Sequence, residues 1–230
     1  MTVRGLERIA FDAPKSLAEI TEERLRQLIV NGELEFGEQV TESRLSDLFG
    51  LSKTPVREAL LRLSIAGLVE IKARSGTYVF SLTDKNICDI STLRITLEQA
   101  AIRSAMRENA ARLMEELNRN LDAARALHAT FELATYRALD HEFHQILVRH
   151  SDNPYLIDCY STISTKVLAM RNRLTFSREY INKSIDEHRA VTRALVENDV
   201  DGACIILAEH VNCGFTERTR RLLTDIARMQ

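Results

Sequence analysis

The chain has 230 residues, of which 45% are hydrophobic and 28% charged, and its formal net charge is −2. This composition excludes a disordered chain, and the length predicts one large or two modest domains that each bury a core. No stretch approaches the ~18 consecutive apolar residues that span a bilayer, and charges stand near the N-terminus where a signal peptide needs its apolar core, so we expect a cytoplasmic protein with no membrane partner.

Residues 1–80 contain three predicted helices and the most convincing strand pattern of the chain. "SLAEITEERLRQLIVNGEL" has apolar residues at helical spacing and predicts an amphipathic first helix. "VTESRLSDLFG" predicts a short second helix, with Thr41 as its N-cap and Gly50 as its stop. In "LSKTPVREALLRLSIAGLVEI", Ser52 or Thr54 caps a third helix, and a proline lies in the first turn where its missing N–H costs nothing.

An alternating segment follows the third helix. In "LVEIKARSGTYVFSL", two short strands flank the turn "ARSG", with Arg74 at its tip, which predicts a tight β-hairpin. This order of elements is that of a winged helix-turn-helix, in which the second helix of the pair enters the major groove and the hairpin wing reaches the backbone or minor groove. We therefore predict that residues 1–80 form a winged helix-turn-helix DNA-binding domain of three helices and a β-hairpin wing.

The charges of this region suit DNA binding only locally, because the chain as a whole is not basic. Residues 41–80 carry six Lys and Arg against four Asp and Glu. Lys53 and Arg57 are four positions apart at the start of the third helix, beside the Thr54 hydroxyl, where a side chain would meet base edges or phosphates. A solvated helix face followed by an ordinary hairpin would explain the same residues equally well.

The segment "LSDLFGLSKTPVREALLRLSIAGLVEIKARSGTYV" closely resembles the DNA-binding signature of the GntR family of bacterial transcription regulators. The resemblance covers roughly residues 15–80. It implies that Lys53, Thr54 and Arg57 read or clamp the operator DNA. It also implies that Gly76 lets the backbone of the wing approach the DNA.

Two positions depart from the family's pattern. Lys53 stands where members often carry Arg, whose planar fork suits guanine, and Ser43 stands where some members place an Arg that contacts DNA. Arg44 is a nearby basic substitute that points in a different direction. The residues that we predict to contact DNA are Arg44, Ser52, Lys53, Thr54, Arg57, Arg74 and Gly76.

The remainder of the chain, residues 84–228, reads almost entirely as helix. Thr83 is a good N-cap for the first of these helices, so the domain boundary falls near "FSLTD". We predict a mainly α protein, in which residues 81–230 form an all-α helical bundle of about six helices. Breaks between the helices are expected near Asn109, Thr130, residues 151–154, Ser177 and residues 198–201.

The stretch "ALDHEFHQIL" concentrates groups that titrate or bind metal. Asp140 and His144 are four positions apart, about 40° around the helix, so they can address one point that His141 cannot easily join. His188 and His210 follow on apolar faces of two later helices. Each buried imidazole needs a hydrogen-bond partner or a ligand, which one shared metal would supply. Three imidazoles and a carboxylate suit Zn²⁺, Ni²⁺, Co²⁺, Fe²⁺ or Mn²⁺ and disfavour Ca²⁺.

Other interpretations of these residues stay open at the level of the sequence. The blandest is a polar helix face with ordinary histidines. A metal hydrolase with Glu142 or Glu187 as base would explain the ligands but not the DNA-binding segment. The metal could also be purely structural, or be itself the signal. Arg171 and Arg173 read as a solvated helix face, although Arg171 could line the cavity. The cysteines form no CxxC pair and are interpreted as reduced packing residues: Cys88, Cys159, Cys204 and Cys213.

"DHEFHQILVRHSDNPYL", followed by "DEHRAVTRALVENDVDGACIILAEH", resembles the FCD (FadR-type) effector domain of one GntR subfamily. "RITLEQAA" is similar to that family's Arg-x-x-Leu-Glu stretch, in which Arg94 would point into a cavity as an anion anchor. About six helices favours the VanR-like subgroup. The resemblance implies a homodimeric regulator, not an enzyme and more often a repressor, that binds a small-molecule carboxylate. Its implied metal ligands are Asp140, His144, His188 and His210.

Overall fold

The computed structural model describes residues 14–130, 132–174 and 177–229, which divide into two compact units. One unit comprises residues 14–29 and Glu38–Phe80, and the other comprises Val30–Gly37 and residues 81–229. None of the helices in these residues combines the length and the apolar composition that crossing a bilayer requires.

The first unit is a winged helix-turn-helix, as predicted. It contains most of α1 (Leu17–Asn31), all of α2 (Glu42–Phe49) and α3 (Lys53–Ile65), and a three-stranded antiparallel sheet. The sheet has the order β1-β3-β2, formed by β1 (Gln39–Val40), β2 (Val69–Lys72) and β3 (Gly76–Val79). β2 and β3 are the predicted hairpin, whereas β1 is an additional strand that the sequence pattern did not predict.

Local signals position the helices of this unit. The Thr41 side chain accepts a hydrogen bond from the backbone N–H of Arg44, which caps α2 as predicted. Gly50 ends α2 in the left-handed region with φ 64°, where a glycine has no steric penalty. α3 starts directly after Ser52, whose side chain makes no capping hydrogen bond. Ser52 and the first residues of α3, Lys53 and Thr54, are exposed at the surface.

The second unit is an all-helical bundle. Because α9, a π-helical segment and α10 follow one another without a break, the described residues form six continuous helices here, which agrees with the prediction. The elements are α4 (Asp84–Glu108), α5 (Ala110–Thr130), α6 (Leu133–Arg149), α7 (Pro154–Asn172), α8 (Arg178–Val196), α9 (Val200–Glu209), the π-helical segment His210–Thr216 and α10 (Glu217–Met229).

The main hydrophobic core of the bundle lies where α4, α5, α6, α8 and α9 meet. Leu117, Phe143, Leu195 and Leu207 are among its fully buried side chains. Phe143 precedes His144 in the chain, so the predicted metal ligands lie at the edge of this core. Close packing there limits the positions that the histidine rings can adopt.

The interpretation of the cysteines as packing residues is wrong for two of them. Cys204 is buried in the core of the bundle, but Cys88 and Cys159 are exposed on α4 and α7. Both exposed cysteines lie on outward faces of long helices, where a small side chain is tolerated without being packed. The side chain of Cys213 lies outside the described residues.

Candidate metal centre and DNA-binding surface

Three helical elements bring the predicted metal ligands together. Asp140 and His144 lie on α6, His188 lies on α8, and His210 is the first residue of the π-helical segment. All four are buried, and one ligand atom from each lies within 4.8 Å of the others. Separations of this size suit side chains that surround one ion.

One potential metal-ligand atom of these four residues, on His144, is buried without a hydrogen-bond partner. Nδ1 of this histidine lies 2.8 Å from Oε2 of Glu98, so the ring donates its N–H to that carboxylate. The other nitrogen, Nε2, is buried without a hydrogen-bond partner and lies 3.9 Å from Oδ2 of Asp140. An unsatisfied buried polar atom is costly, and a metal ion would satisfy the lone pair that this tautomer leaves on Nε2.

The other two histidines point their Nε2 atoms at each other. The Nε2 atoms of His188 and His210 are 3.2 Å apart. Nδ1 of His210 lies 2.8 Å from Oε2 of Glu187, which orients the ring in the same way that Glu98 orients His144. The ring of Phe143 stacks on His188 with 3.8 Å between the ring centroids. Carboxylate partners on ligating histidines are typical of metal sites, where they select the tautomer and fix the ring.

The ionisation states of the cluster suit metal binding. Burial, together with the positive charge of Arg94, lowers the pKa of His144 to about 4. Burial and the neighbouring His210 hold the pKa of His188 well below its ordinary value. Burial alone would raise the pKa of Asp140, but Arg171 and the histidines hold that pKa well below its ordinary value. The two imidazoles are therefore neutral and the carboxylate is ionised near pH 7, which are the ligating forms.

Arg171 is part of this site, so its interpretation as a solvated residue is wrong. Its guanidinium forms an ion pair with Oδ2 of Asp140, and the side chain is almost completely buried. The other carboxylate oxygen, Oδ1, accepts hydrogen bonds from the hydroxyls of Tyr136 and Ser184, at 3.0 and 3.1 Å. The side chain of Arg173 is also largely buried, with 8% exposed. Both arginines are buried because partners distant in the sequence accept their N–H groups.

Arg94, the predicted effector anchor, lies beside the cluster in a buried network. Its Nε donates to Oε1 of Glu98 at 2.8 Å, and the Tyr160 hydroxyl donates to the same oxygen at 2.8 Å. The guanidinium carbon lies 5.3 Å from the centre of the Phe215 ring. Although burial opposes ionisation of Glu98, Arg94 and His144 hold the pKa of that carboxyl below its ordinary value. Glu98 thus links Arg94 to the ligand His144.

Sequence reasoning missed the roles of Glu98 and Tyr160, and for Arg171 it offered a place in the cavity only as an alternative to a solvated helix face. The structure gives the two candidate bases other roles. Glu187 is hydrogen-bonded to His210 and lies 3.7 Å from Nζ of Lys183, so it orients a ligand instead of facing a reacting group. Glu142 pairs with Arg149 at the surface. A buried Arg-x-x-x-Glu spacing on α4 was the available signal for Glu98. No comparable spacing links Arg171 to its partner Asp140.

The residues predicted to contact DNA lie on α2, at the start of α3 and at the tip of the wing. Ser52, Lys53, Thr54 and Arg57 are exposed at the start of α3. The guanidinium of Arg57 contacts both carboxylate oxygens of Glu42 at 2.8 Å, whereas Arg44 on α2 pairs with Glu38 at 2.6 Å. Exposed ion pairs of this kind contribute little to stability, so DNA phosphates can replace the carboxylates as partners.

The tip of the wing has a conformation that explains Gly76 without DNA. Arg74 lies at the exposed tip and adopts φ 61°. Gly76 has φ 131°, and a Cβ atom there would lie 2.5 Å from Nε2 of Gln39. That amide also donates to the carbonyl of Ser75 at 3.1 Å. The Gln39 amide is the end of a flexible side chain that could move, so it is the φ of 131° that favours a glycine at this position, independently of any close approach of DNA.

Two family descriptions match the chain. Residues 17–79 match "Bacterial regulatory proteins, gntR family", and residues 89–212, more than half of the chain, match "FCD domain". The chain is 28% identical over 191 residues to the uncharacterized HTH-type transcriptional regulator YdhC of Bacillus subtilis, covering 82% of this chain and 85% of that one. It is 27% identical over 182 residues to the gluconate operon transcriptional repressor of Bacillus licheniformis, covering 77% and 74%.

Among solved structures, the E. coli protein McbR/YncC shares the fold. It matches with a TM-score of 0.74 and 20% sequence identity, covering 91% of this chain and 100% of that one. The alternative of a metal hydrolase is wrong, because the matching domains and relatives are those of transcription regulators. The chain belongs to the GntR family of bacterial transcription regulators, with a winged helix-turn-helix and an FCD domain.

Proposed function

We propose that the protein is a homodimeric transcriptional repressor whose affinity for operator DNA depends on a divalent transition metal and a small organic acid. Residues 1–80 bind DNA and residues 81–230 bind the two ligands. The observation that carries the proposal is the buried His144. Its Nε2 has no hydrogen-bond partner, and the cluster brings a potential metal-ligand atom from each of the other three residues close to this histidine. Relatives named as repressors of a gluconate operon and of a D-xylose utilization operon favour repression over activation.

In this proposal the metal is Zn²⁺, Ni²⁺, Co²⁺, Fe²⁺ or Mn²⁺, held by one carboxylate and three neutral imidazoles. An ion held by these residues would supply a Lewis acid to which a carboxylate from outside the protein could bind. The protein contributes the orientation of each donor through carboxylates on the histidine Nδ1 atoms. The ligands are Asp140, His144, His188 and His210.

The charges of the site explain why the second ligand is an acid. Arg94 and Arg171 are balanced by Glu98 and Asp140, so these four buried side chains sum to zero. A divalent ion adds two positive charges to a region from which water is largely excluded. An anionic ligand restores the balance, and the terminal amino groups of Arg94 can pair with its carboxylate.

DNA recognition in this proposal uses two copies of the chain on a two-fold axis. Each α3 enters a major groove, where Lys53, Thr54 and Arg57 meet base edges or phosphates while Ser52 and Arg44 lie nearby. Arg57 exchanges its contact with the carboxylate of α2 for DNA. To regulate, the acid must bind one arrangement of the dimer better than the other, and a 100-fold preference corresponds to about 2.7 kcal/mol.

The proposal is tested on DNA selected by the wild-type protein from a random-sequence pool. Fluorescence anisotropy then measures its affinity for that DNA with each metal, with a chelator, and with a panel of organic acids. We expect at least one acid to weaken binding only when metal is present, and Arg94→Met and His188→Ala to remove this response.

Other outcomes contradict parts of the proposal. A change of DNA affinity with metal that no acid modifies further would make the ion itself the signal. Unfolding on chelation would make the metal structural. Selection of no DNA sequence at all would contradict operator binding. Arg193→Met, at an exposed position of α8, is the matched control and is expected to respond as the wild type does.

A further inference from the structure

The last turn of α7 faces two different parts of the second unit. Arg171 pairs with Asp140 in the candidate metal centre. Nδ2 of the next residue, Asn172, donates to the backbone carbonyl of Val30 at 3.2 Å. Successive helical residues are 100° apart, so the same turn can contact the proposed metal ligand Asp140 on one side and the segment Val30–Gly37 on another.

Arg173 holds that segment through several groups at once. Its Nη1 donates to the carbonyl of Ala169 at 2.9 Å, which fixes the guanidinium to α7. Its Nη2 donates to the carbonyl of Leu34 at 2.6 Å, and the guanidinium carbon lies 3.8 Å from the centre of the Phe36 ring. Nε lies 3.6 Å from a carboxylate oxygen of Glu35. A planar guanidinium with this set of partners leaves the segment little freedom to move independently of α7.

We propose that the turn Arg171–Asn172–Arg173 transmits occupancy of the metal centre to the segment Val30–Gly37, with Arg173 as the positioning residue. This rests on the proposed metal site. An ion that takes Asp140 as a ligand competes with Arg171 for the carboxylate and brings two positive charges beside its guanidinium. The interior is close-packed, so a change at Arg171 shifts the whole turn and with it the partners of Asn172 and Arg173.

Chain connectivity gives this segment its importance. Val30 and Asn31 are the last residues of α1, and the segment runs from there toward β1. A shift of Val30–Gly37 therefore acts on the two elements that precede the DNA-binding helices in the chain. The guanidinium of Arg173 is the part of the second unit that would convert a change at the metal into a change of this segment.

Hydrogen–deuterium exchange of the full chain tests the proposal, with zinc alone as the probe. We expect zinc to change amide exchange within residues 30–37 by about 2- to 30-fold relative to chelated protein, the range expected for coupling along such networks. Arg173→Met should bind the same amount of zinc while exchange in the segment stays unchanged. Arg173→Lys, which keeps the charge and loses the planar fork, should lose most of the response, and Arg193→Met should keep it.

The outcomes separate this proposal from the metal site on which it rests. If wild-type protein binds zinc and exchange in residues 30–37 is the same with and without it, or if Arg173→Met still responds, transmission by Arg173 is refuted and the metal site stands. If the wild type takes up no zinc, the exchange measurement uses whichever of the other four candidate ions it retains, and if it retains none of the five, both proposals fail. Should Arg173→Met be unfolded, Phe36→Leu carries the test, because it removes the ring beneath the guanidinium and should weaken the response in the same way.

Discussion

Replacing Glu98 by Gln removes one negative charge from the buried network while keeping the size of the side chain. Arg94 is 2% exposed and donates to Glu98 at 2.8 Å, so the variant leaves its positive charge buried beside a neutral amide. Removing one partner of a buried ion pair costs about 3–5 kcal/mol, because the remaining charge is uncompensated. The total free energy of unfolding of a domain is only about 5–15 kcal/mol, so the expected loss is a large share of the stability.

Urea unfolding of the metal-free protein measures this loss, and the chain offers a matched control. Glu115 and Arg119 form an ion pair at the same spacing of four residues, but their side chains are 64% and 69% exposed. Glu115→Gln should therefore change the free energy of unfolding by no more than about 0.5 kcal/mol. If Glu98→Gln cost no more than this control, Arg94 would have to be solvated, and its placement beside the metal ligands would be wrong.

The remaining predictions concern the metal, pH and DNA. Glu98→Gln should lower zinc affinity by about 10- to 100-fold in a competition assay, because the amide holds the Nδ1–H of His144 less strongly; unchanged affinity would exclude this role. Burial and the charge of Arg94 lower the pKa of His144 to about 4. As the pH falls below 6.5, His144 therefore becomes protonated in the unfolded chain but stays neutral in the native protein. The free energy of unfolding of metal-free protein should thus fall between pH 6.5 and pH 4, by about 3 kcal/mol from the His144 ring alone. Urea titration at each pH measures this change, and a free energy that does not vary with pH would contradict the burial of His144. Arg57→Ala should weaken binding to the selected DNA and reduce the salt slope by about one, whereas Arg62→Ala, at the far end of α3, should do neither.

Much of the first unit could be predicted because its signals are local. Thr41 and Gly50 bound α2, and the turn "ARSG" marks the hairpin, each through the conformations that these residues favour. Strand β1 could not be predicted. It has two residues, too few for an alternating pattern, and it exists because Gln39 and Val40 pair with β3.

In the second unit, interruptions of the helical pattern marked the six helices, but not the π-helical segment that starts at His210. Its sequence, "HVNCGFT", contains no proline, and nothing in its hydrophobic spacing separates it from α-helix. Such a segment reflects packing against neighbouring helices, which a single sequence does not display.

The metal ligands could be predicted as a set because four residues with metal-binding groups lie on apolar faces. The partners that orient and balance them could not. Arg171 and Arg173 look like solvated charges on a helix, because Asp140 and the carbonyl of Leu34 come from distant parts of the chain and meet them only in the fold. Glu98 was visible as part of "RITLEQAA", but its contact with His144 also depends on how α4 packs against α6.

Metal content of the untagged, full-length protein tests the central claim most directly. Elemental analysis of the wild type, after equilibration with each candidate ion and removal of the excess, should find about one transition metal ion per chain. His188→Ala should lose it, and His141→Ala, a histidine on α6 outside the cluster, should keep it. A wild type that retains none of the five ions, or a His188→Ala variant that retains the ion as well as the wild type, would contradict a metal centre at these four residues.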